Sequence, residues 1–190
     1  MMENALIVSC TEKSAALFTE MLNEVSINQI TVLKSDGEAR RLFMKQNFDL
    51  VIVDSPLTDE SGESLSRYIA SNSFSQVILA VESETFDAVA AVCEDDGVLT
   101  ISKPVDKEIF WLALSLAKAA RNRIKRIQAE NMQLKQKIED IRVINRAKLL
   151  LISYLNLSEQ EAHRFIEKQA MDLRSSKRAI AEGVLKTYAS

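Results

Sequence analysis

Glycine and proline are scarce in this chain, with four Gly and two Pro in 190 residues. A sheet sandwich needs a turn signal roughly every 8 to 12 residues, so that class is excluded and helix should dominate. One His and two Cys, Cys10 and Cys93, without CxxC spacing, leave no zinc set, and the thiols read as reduced. No apolar run approaches the roughly 18 residues of a membrane span. The Met-Met-Glu-Asn start lacks the charged and then apolar pattern of a signal peptide. The expectation is a soluble, cytoplasmic protein with no membrane partner. An enzyme is disfavoured, because one His and four Gly supply no nucleophile and base pair, phosphate loop or metal set. No catalytic residue, metal or cofactor is expected.

An apolar fraction of 47% suffices for a buried core, and 190 residues allow one domain or a compact pair. The net charge of −3 hides a split. Residues 1–120 hold nine basic and nineteen acidic side chains, 121–141 hold six and three, and 142–190 hold nine and five. An acidic domain thus precedes a basic tail of the kind that meets polyanions. The expected boundaries are 1–120, 121–141 and 142–190.

The acidic part alternates short apolar runs, at 5–8, 30–33, 50–53, 77–81 and 98–101, with amphipathic segments at 14–22, 38–46, 63–70 and 86–92. Strands alternating with helices imply an α/β fold with a five-stranded, doubly wound parallel sheet, its strands covered on both faces. Ser35-Asp36-Gly37-Glu38 has the form of a capping box at the second helix.

From Lys107 to Gly183 neither Pro nor Gly interrupts the chain. Ile124, Ile127, Asn131, Leu134, Ile138 and Ile141 recur in steps of three and four. Ile, Leu and one central Asn fit a parallel two-stranded coiled coil, and hence a homodimer; the alternative is a helix lying on its own domain. Past Ile141 the stripe broadens to Ile144, Ala147, Leu150, Leu151, Tyr154 and Leu155, with Asn156 as a stop. Ser158 to Glu161 forms a second capping box, opening a helix with Ala162, Phe165, Ile166, Gln169, Ala170 and Leu173 on one face. A last helix near 176–188 buries Ile180, Ala181, Val184, Leu185 and Tyr188. The result is a small all-α three-helix bundle.

In an open parallel sheet, ligands sit at the carboxyl ends of the strands. That rim carries Ser9-Cys10, Asp54, Val81-Glu82 and Lys103-Pro104. Residues 5–120 resemble a response-regulator receiver domain of flavodoxin-like fold, through Phe48 to Asp54, Gly62 and Lys103-Pro104. The resemblance implies that Asp54 stands at the phosphoacceptor position and that Lys103 contacts it. Receivers hold Mg²⁺ with an acidic pair after the first strand, where this chain has Ser9-Cys10. The position of the switch hydroxyl holds Val81, that of the aromatic partner holds Thr100, and Glu12 is displaced into the following loop. A receiver not switched by ordinary phosphorylation is the expectation, with Asp54 and Lys103 kept as a partly exposed ion pair.

The tail resembles the ANTAR family of RNA-binding antitermination modules. The resemblance rests on Arg142, Arg146-Ala147-Lys148, Leu150-Leu151, Leu157-Ser158-Glu159, Glu161-Ala162, Phe165, Ala170-Met171, Arg174 and Ile180-Ala181. It implies a protein that binds stem-loops in nascent RNA and prevents a terminator from forming, and it leaves room for a sensor kinase or regulatory protein as partner. Read from the residues alone, Arg164, Lys168 and Met171 recur at steps of four and three, with Arg142, Arg146 and Lys148 on the preceding helix and Arg174 following. Such cations neutralise phosphates while apolar or planar groups stack on splayed bases. Equally, Arg164, Lys168, Arg178 and Lys186 would merely solvate the bundle and pair with Glu161, Glu167 and Glu182. Met171 reads equally as core, and His163 as an exposed or packing histidine. The alternatives are a DNA-binding response regulator and a coiled-coil protein-interaction module.

Overall fold

The computed structural model describes residues 2–27 and 29–188. The chain divides into two compact units, Met1–Arg126 and Ile127–Ser190.

In the first unit the apolar runs become β1 (Asn4–Ser9), β2 (Gln29–Leu33), β3 (Leu50–Asp54), β4 (Gln76–Glu82) and β5 (Leu99–Lys103). Between them lie α1 (Glu12–Glu24), α2 (Asp36–Phe43), α3 (Glu63–Asn72) and α4 (Phe86–Cys93), and α5 (Lys107–Leu155) follows β5. All strand pairs are parallel in the order β2-β1-β3-β4-β5. The strand order therefore reverses between β1 and β3, the place where such sheets bind ligands.

Side chains alternate across the sheet. On one face Ile7, Ile52 and Ile78 pack with Phe18 and Met21 of α1 and with Phe110 and Leu114 of α5. On the other, Val8, Val53 and Leu79 meet Ala39 and Phe43 of α2 and Leu65 and Ile69 of α3, with Cys93 of α4. Coverage on both faces holds for β1, β3 and β4 but not for β2. That strand is an edge: Ile30 and Leu33 are only partly buried against the two core clusters, and Val32 is 44% exposed. Arg121 of α5 reaches the Asp49 carboxylate just ahead of β3, and Asp49 also accepts the Glu3 N–H, fastening α5 to the amino end of the sheet.

Local chemistry sets the helix ends. Ser35 caps α2 by accepting the Glu38 N–H, but the reciprocal half of the box is displaced: the Glu38 carboxylate takes the Lys34 N–H. The expected extension of α2 to Gln46 also fails, since the helix closes at Phe43. The second box forms completely, with Ser158 and Glu161 satisfying each other's backbone N–H groups.

In the second unit the end of α5 packs with α6 (Glu159–Asp172) and α7 (Lys177–Tyr188). Asn156 ends α5 at φ 49, a left-handed conformation that Asn tolerates. Fully covered Ala147, Ala162 and Ala181 let the three backbones approach, with Leu151, Ile166 and Val184 filling the space between. The apolar stripe is narrower than its periodicity suggested. Tyr154, Leu155 and Leu173 are exposed and Phe165 is 38% exposed, because a three-helix bundle of this size covers only one side of each helix. Ile127, Leu134, Ile138 and Ile141 are likewise exposed, between 44% and 58%, and Asn131 with them; Ile124 is half-buried. No helix among the described residues is long and apolar enough to cross a membrane.

Candidate functional site

The carboxyl ends of β1, β3 and β5 bring Ser9, Asp54 and Lys103 together. The parallel register sets Ser9 opposite Asp54 and Glu82 opposite Lys103. Ser9 Oγ donates to Asp54 Oδ2 at 2.7 Å, and Lys103 Nζ lies 2.7 Å from Asp54 Oδ1 and 3.4 Å from Glu82 Oε1. The ammonium's aligned hydrogen bond goes to the Ser55 carbonyl, so Oδ1 is held by charge rather than by a directed hydrogen bond. Asp54 is 2% exposed. The expected partly exposed pair is therefore a buried one, because β1 and β4 flank β3 and the following loop folds over its end. Ser9, known from the sequence only as an absent carboxylate, is the aspartate's hydrogen-bond partner.

That loop, 55–62, is tied down at several points. Asp59 accepts the Asp36 and Gly37 N–H groups, which hold its carboxyl below the usual range. Thr58 donates to the Lys34 carbonyl and Cys10 Sγ to that of Pro56. Gly62 closes the loop at φ 83, where a Cβ would lie 2.7 Å from Val53 Cγ1. Both the conformation and the contact require glycine there.

The donor set does not fit the Mg²⁺ that the receiver resemblance implies. A hard divalent cation takes several oxygen ligands, but one Asp54 oxygen is on a hydroxyl and the other against the Lys103 ammonium, and the second carboxylate nearby, Glu82, lies against that same ammonium. Glu12 is turned away toward Lys34 at 3.3 Å. Among the described residues no group of three His, Cys, Asp or Glu is placed to hold a metal. Val81 is buried, and the Thr100 hydroxyl is covered without a hydrogen-bond partner.

In the second unit the cations separate into two kinds. Some stitch the bundle together. Arg178 binds Asp140 at 2.7 Å and Glu182 at 2.8 Å, holding the Asp140 carboxyl below its ordinary range together with Gln136. Lys177 and His163 both meet Glu167, which lowers its carboxyl too. Lys148 is largely covered and reaches Glu159 at 3.2 Å, and a shallow depression brings it together with His163 and Arg164. Others stand free. Among the described residues Arg146, Lys168 and Arg174 make no ion pair, and all three are exposed. Arg142 is exposed and lies 3.7 Å from Glu139. Met171 is 79% exposed, so the core reading of that residue does not hold. It shares the outer face of α6 with Arg164 and Lys168.

Residues 132–185 match the model of the ANTAR domain family. Over 168 residues the chain is 26% identical to the transcriptional regulatory protein PdtaR of Mycobacterium tuberculosis, covering 88% of this chain and 82% of that one. Solved structures similar to it include the receiver domain of an HD domain-containing protein from Pseudomonas fluorescens, at TM-score 0.58 and 20% identity, over 66% of this chain and 93% of that one. A response regulator receiver domain from Clostridium thermocellum matches at TM-score 0.56 and 22% identity, over 66% and 99%. The chain thus joins a receiver-like α/β fold to an ANTAR domain at residues 132–185, and over most of its length it is similar to a transcriptional regulatory protein.

Proposed function

We propose that this protein is an RNA-binding transcription antiterminator that grips stem-loops of nascent leaders as a homodimer, acting by binding rather than by catalysis. The observation that carries the reading is the set of exposed cations Arg146, Lys168 and Arg174, which make no ion pair and stand beside exposed Met171, in a domain where Lys148, Lys177 and Arg178 are taken up by ion pairs. Unpaired Arg and Lys neutralise phosphates, and exposed apolar groups stack on loop bases. Exposed Ile127, Leu134, Ile138 and Ile141 at coiled-coil spacing around Asn131 support a parallel pair of helices. Two RNA-binding domains in one particle raise the effective concentration for the second stem-loop.

The Ser9, Asp54 and Lys103 cluster supports a receiver that is not switched by ordinary phosphorylation. Phosphoryl transfer relies on a metal to offset charge on the transferring oxygens, and here Lys103 and Ser9 already occupy the carboxylate. Sequencing of RNA crosslinked to the protein in its native cell tests the reading. Enrichment of leader stem-loops is the expected result; enrichment of no RNA class over a tail-deleted chain ending before Arg142 rejects it.

A further inference from the structure

Between α6 and α7 runs an apolar groove of about 320 Å³, lined by Phe165, Gln169 and Leu173 on one side and by Ile180, Gly183 and Tyr188 on the other. It is small for a binding site, at the lower end of the volumes that hold small ligands. It suits a single planar group rather than the face of a helix. Phe165 and Leu173 remain 38% and 64% exposed at its edge. At Tyr188 the groove meets Tyr154, 61% exposed, with ring centroids 5.4 Å apart, which makes an aromatic ledge.

Gly183 supplies the sharpest evidence. It lies within α7, where glycine is disfavoured relative to alanine. Its backbone has no left-handed torsion, and a Cβ would meet nothing within 4 Å. Neither a turn nor close packing accounts for it. Its effect is to leave one wall of the groove bare. Gln169, in the opposite wall, makes no side-chain hydrogen bond to another described residue, so its amide has a donor and an acceptor to offer. The residues that flank the lining in sequence include Arg164, Lys168, Arg174 and Lys186, against Asp172 and a Glu182 already paired with Arg178. The surround favours a polyanion.

Building on the RNA-binding reading, we propose that this groove takes one unstacked base of an RNA loop, with Phe165, Leu173 and the tyrosine ledge contacting its faces and Gln169 reading its edge. The cations hold the phosphates, and the groove discriminates among loops.

The test uses the full chain and a hairpin RNA pool of fixed stem and randomised loop, from which the wild-type protein selects its probe. Gly183→Met fills the groove from an open helical position and leaves thermal stability unchanged or raised. It weakens binding to the selected hairpin about tenfold, the worth of one stacked base. An abasic substitution at one loop position weakens wild-type binding by a similar factor and weakens Gly183→Met no further. Leu173→Ser, at an exposed position, gives the same result if Gly183→Met does not fold. Binding by both variants within about twofold of wild type, or wild-type indifference to abasic sites throughout the loop, overturns the groove proposal. A pool from which the wild type selects no hairpin instead rejects the RNA-binding reading itself.

Discussion

Ser9 and Asp54, at the ends of neighbouring strands β1 and β3, are joined by a 2.7 Å hydrogen bond in which the serine hydroxyl donates to the buried carboxylate. A hydroxyl therefore stands where a metal-binding carboxylate would be needed for phosphorylation. Incubation with acetyl phosphate and Mg²⁺ is predicted to leave the intact mass of the protein unchanged. Stoichiometric acyl phosphate at Asp54 would refute this.

Lys103 is the cation that makes burial of Asp54 tolerable. Removing one partner of a buried ion pair costs about 3–5 kcal/mol, because the other charge is left uncompensated. Lys103→Met is expected to lower unfolding stability toward that range. Lys34→Met breaks the exposed contact with Glu12 and is expected to cost about 0–1 kcal/mol. Urea denaturation of both variants measures the difference, and equal costs would mean that the buried pair contributes no more than a surface one.

The alternation of strands and helices was legible because apolar runs and amphipathic periods are local signals. The Ser9 to Asp54 bond was not, since it depends on the register between two strands 45 residues apart. The burial of Asp54 depends on how loop 55–62 is anchored, through Asp59 and Gly62, and no local pattern encodes that. In the tail, periodicity identified the side of α6 that bears Ala162 and Ile166. It could not say that Phe165 and Leu173, on the same side, lie beyond the cover of α7. Nor did charge composition separate Arg178, which ties α5 to α7 through Asp140, from Arg146, Lys168 and Arg174, which tie nothing.

Acid should loosen the ANTAR domain through three carboxylates. Arg178 lowers Asp140, the Ser158 hydroxyl lowers Glu161, and Lys177 lowers Glu167. Each group titrates lower when folded than when unfolded. Its stabilising contribution is therefore complete above the unfolded carboxylate range, near pH 4 to 4.5, and is lost as pH falls through the depressed values. Thermal unfolding of the full chain followed from pH 7 to pH 3 is expected to be flat down to about pH 5 and to decline below it. Asp140→Asn is expected to make the acid decline shallower; an unchanged slope would contradict the assignment.

Leu134 and Ile138 are 55% and 52% exposed on a single chain. Replacing both by Glu places like charges across a paired seam while leaving each domain core intact. Sedimentation is predicted to change from dimer for the wild type to monomer for the double variant. A monomeric wild type would remove the coiled-coil account.

Direct titration of a leader hairpin with the full chain, across a range of salt, bears most closely on the central claim. Neutralising Arg146, Lys168 and Arg174 together is predicted to abolish measurable binding at moderate salt and to flatten the dependence of affinity on salt, because three phosphate contacts and their released counterions are gone. Unchanged affinity and an unchanged salt slope in that triple variant would contradict the account.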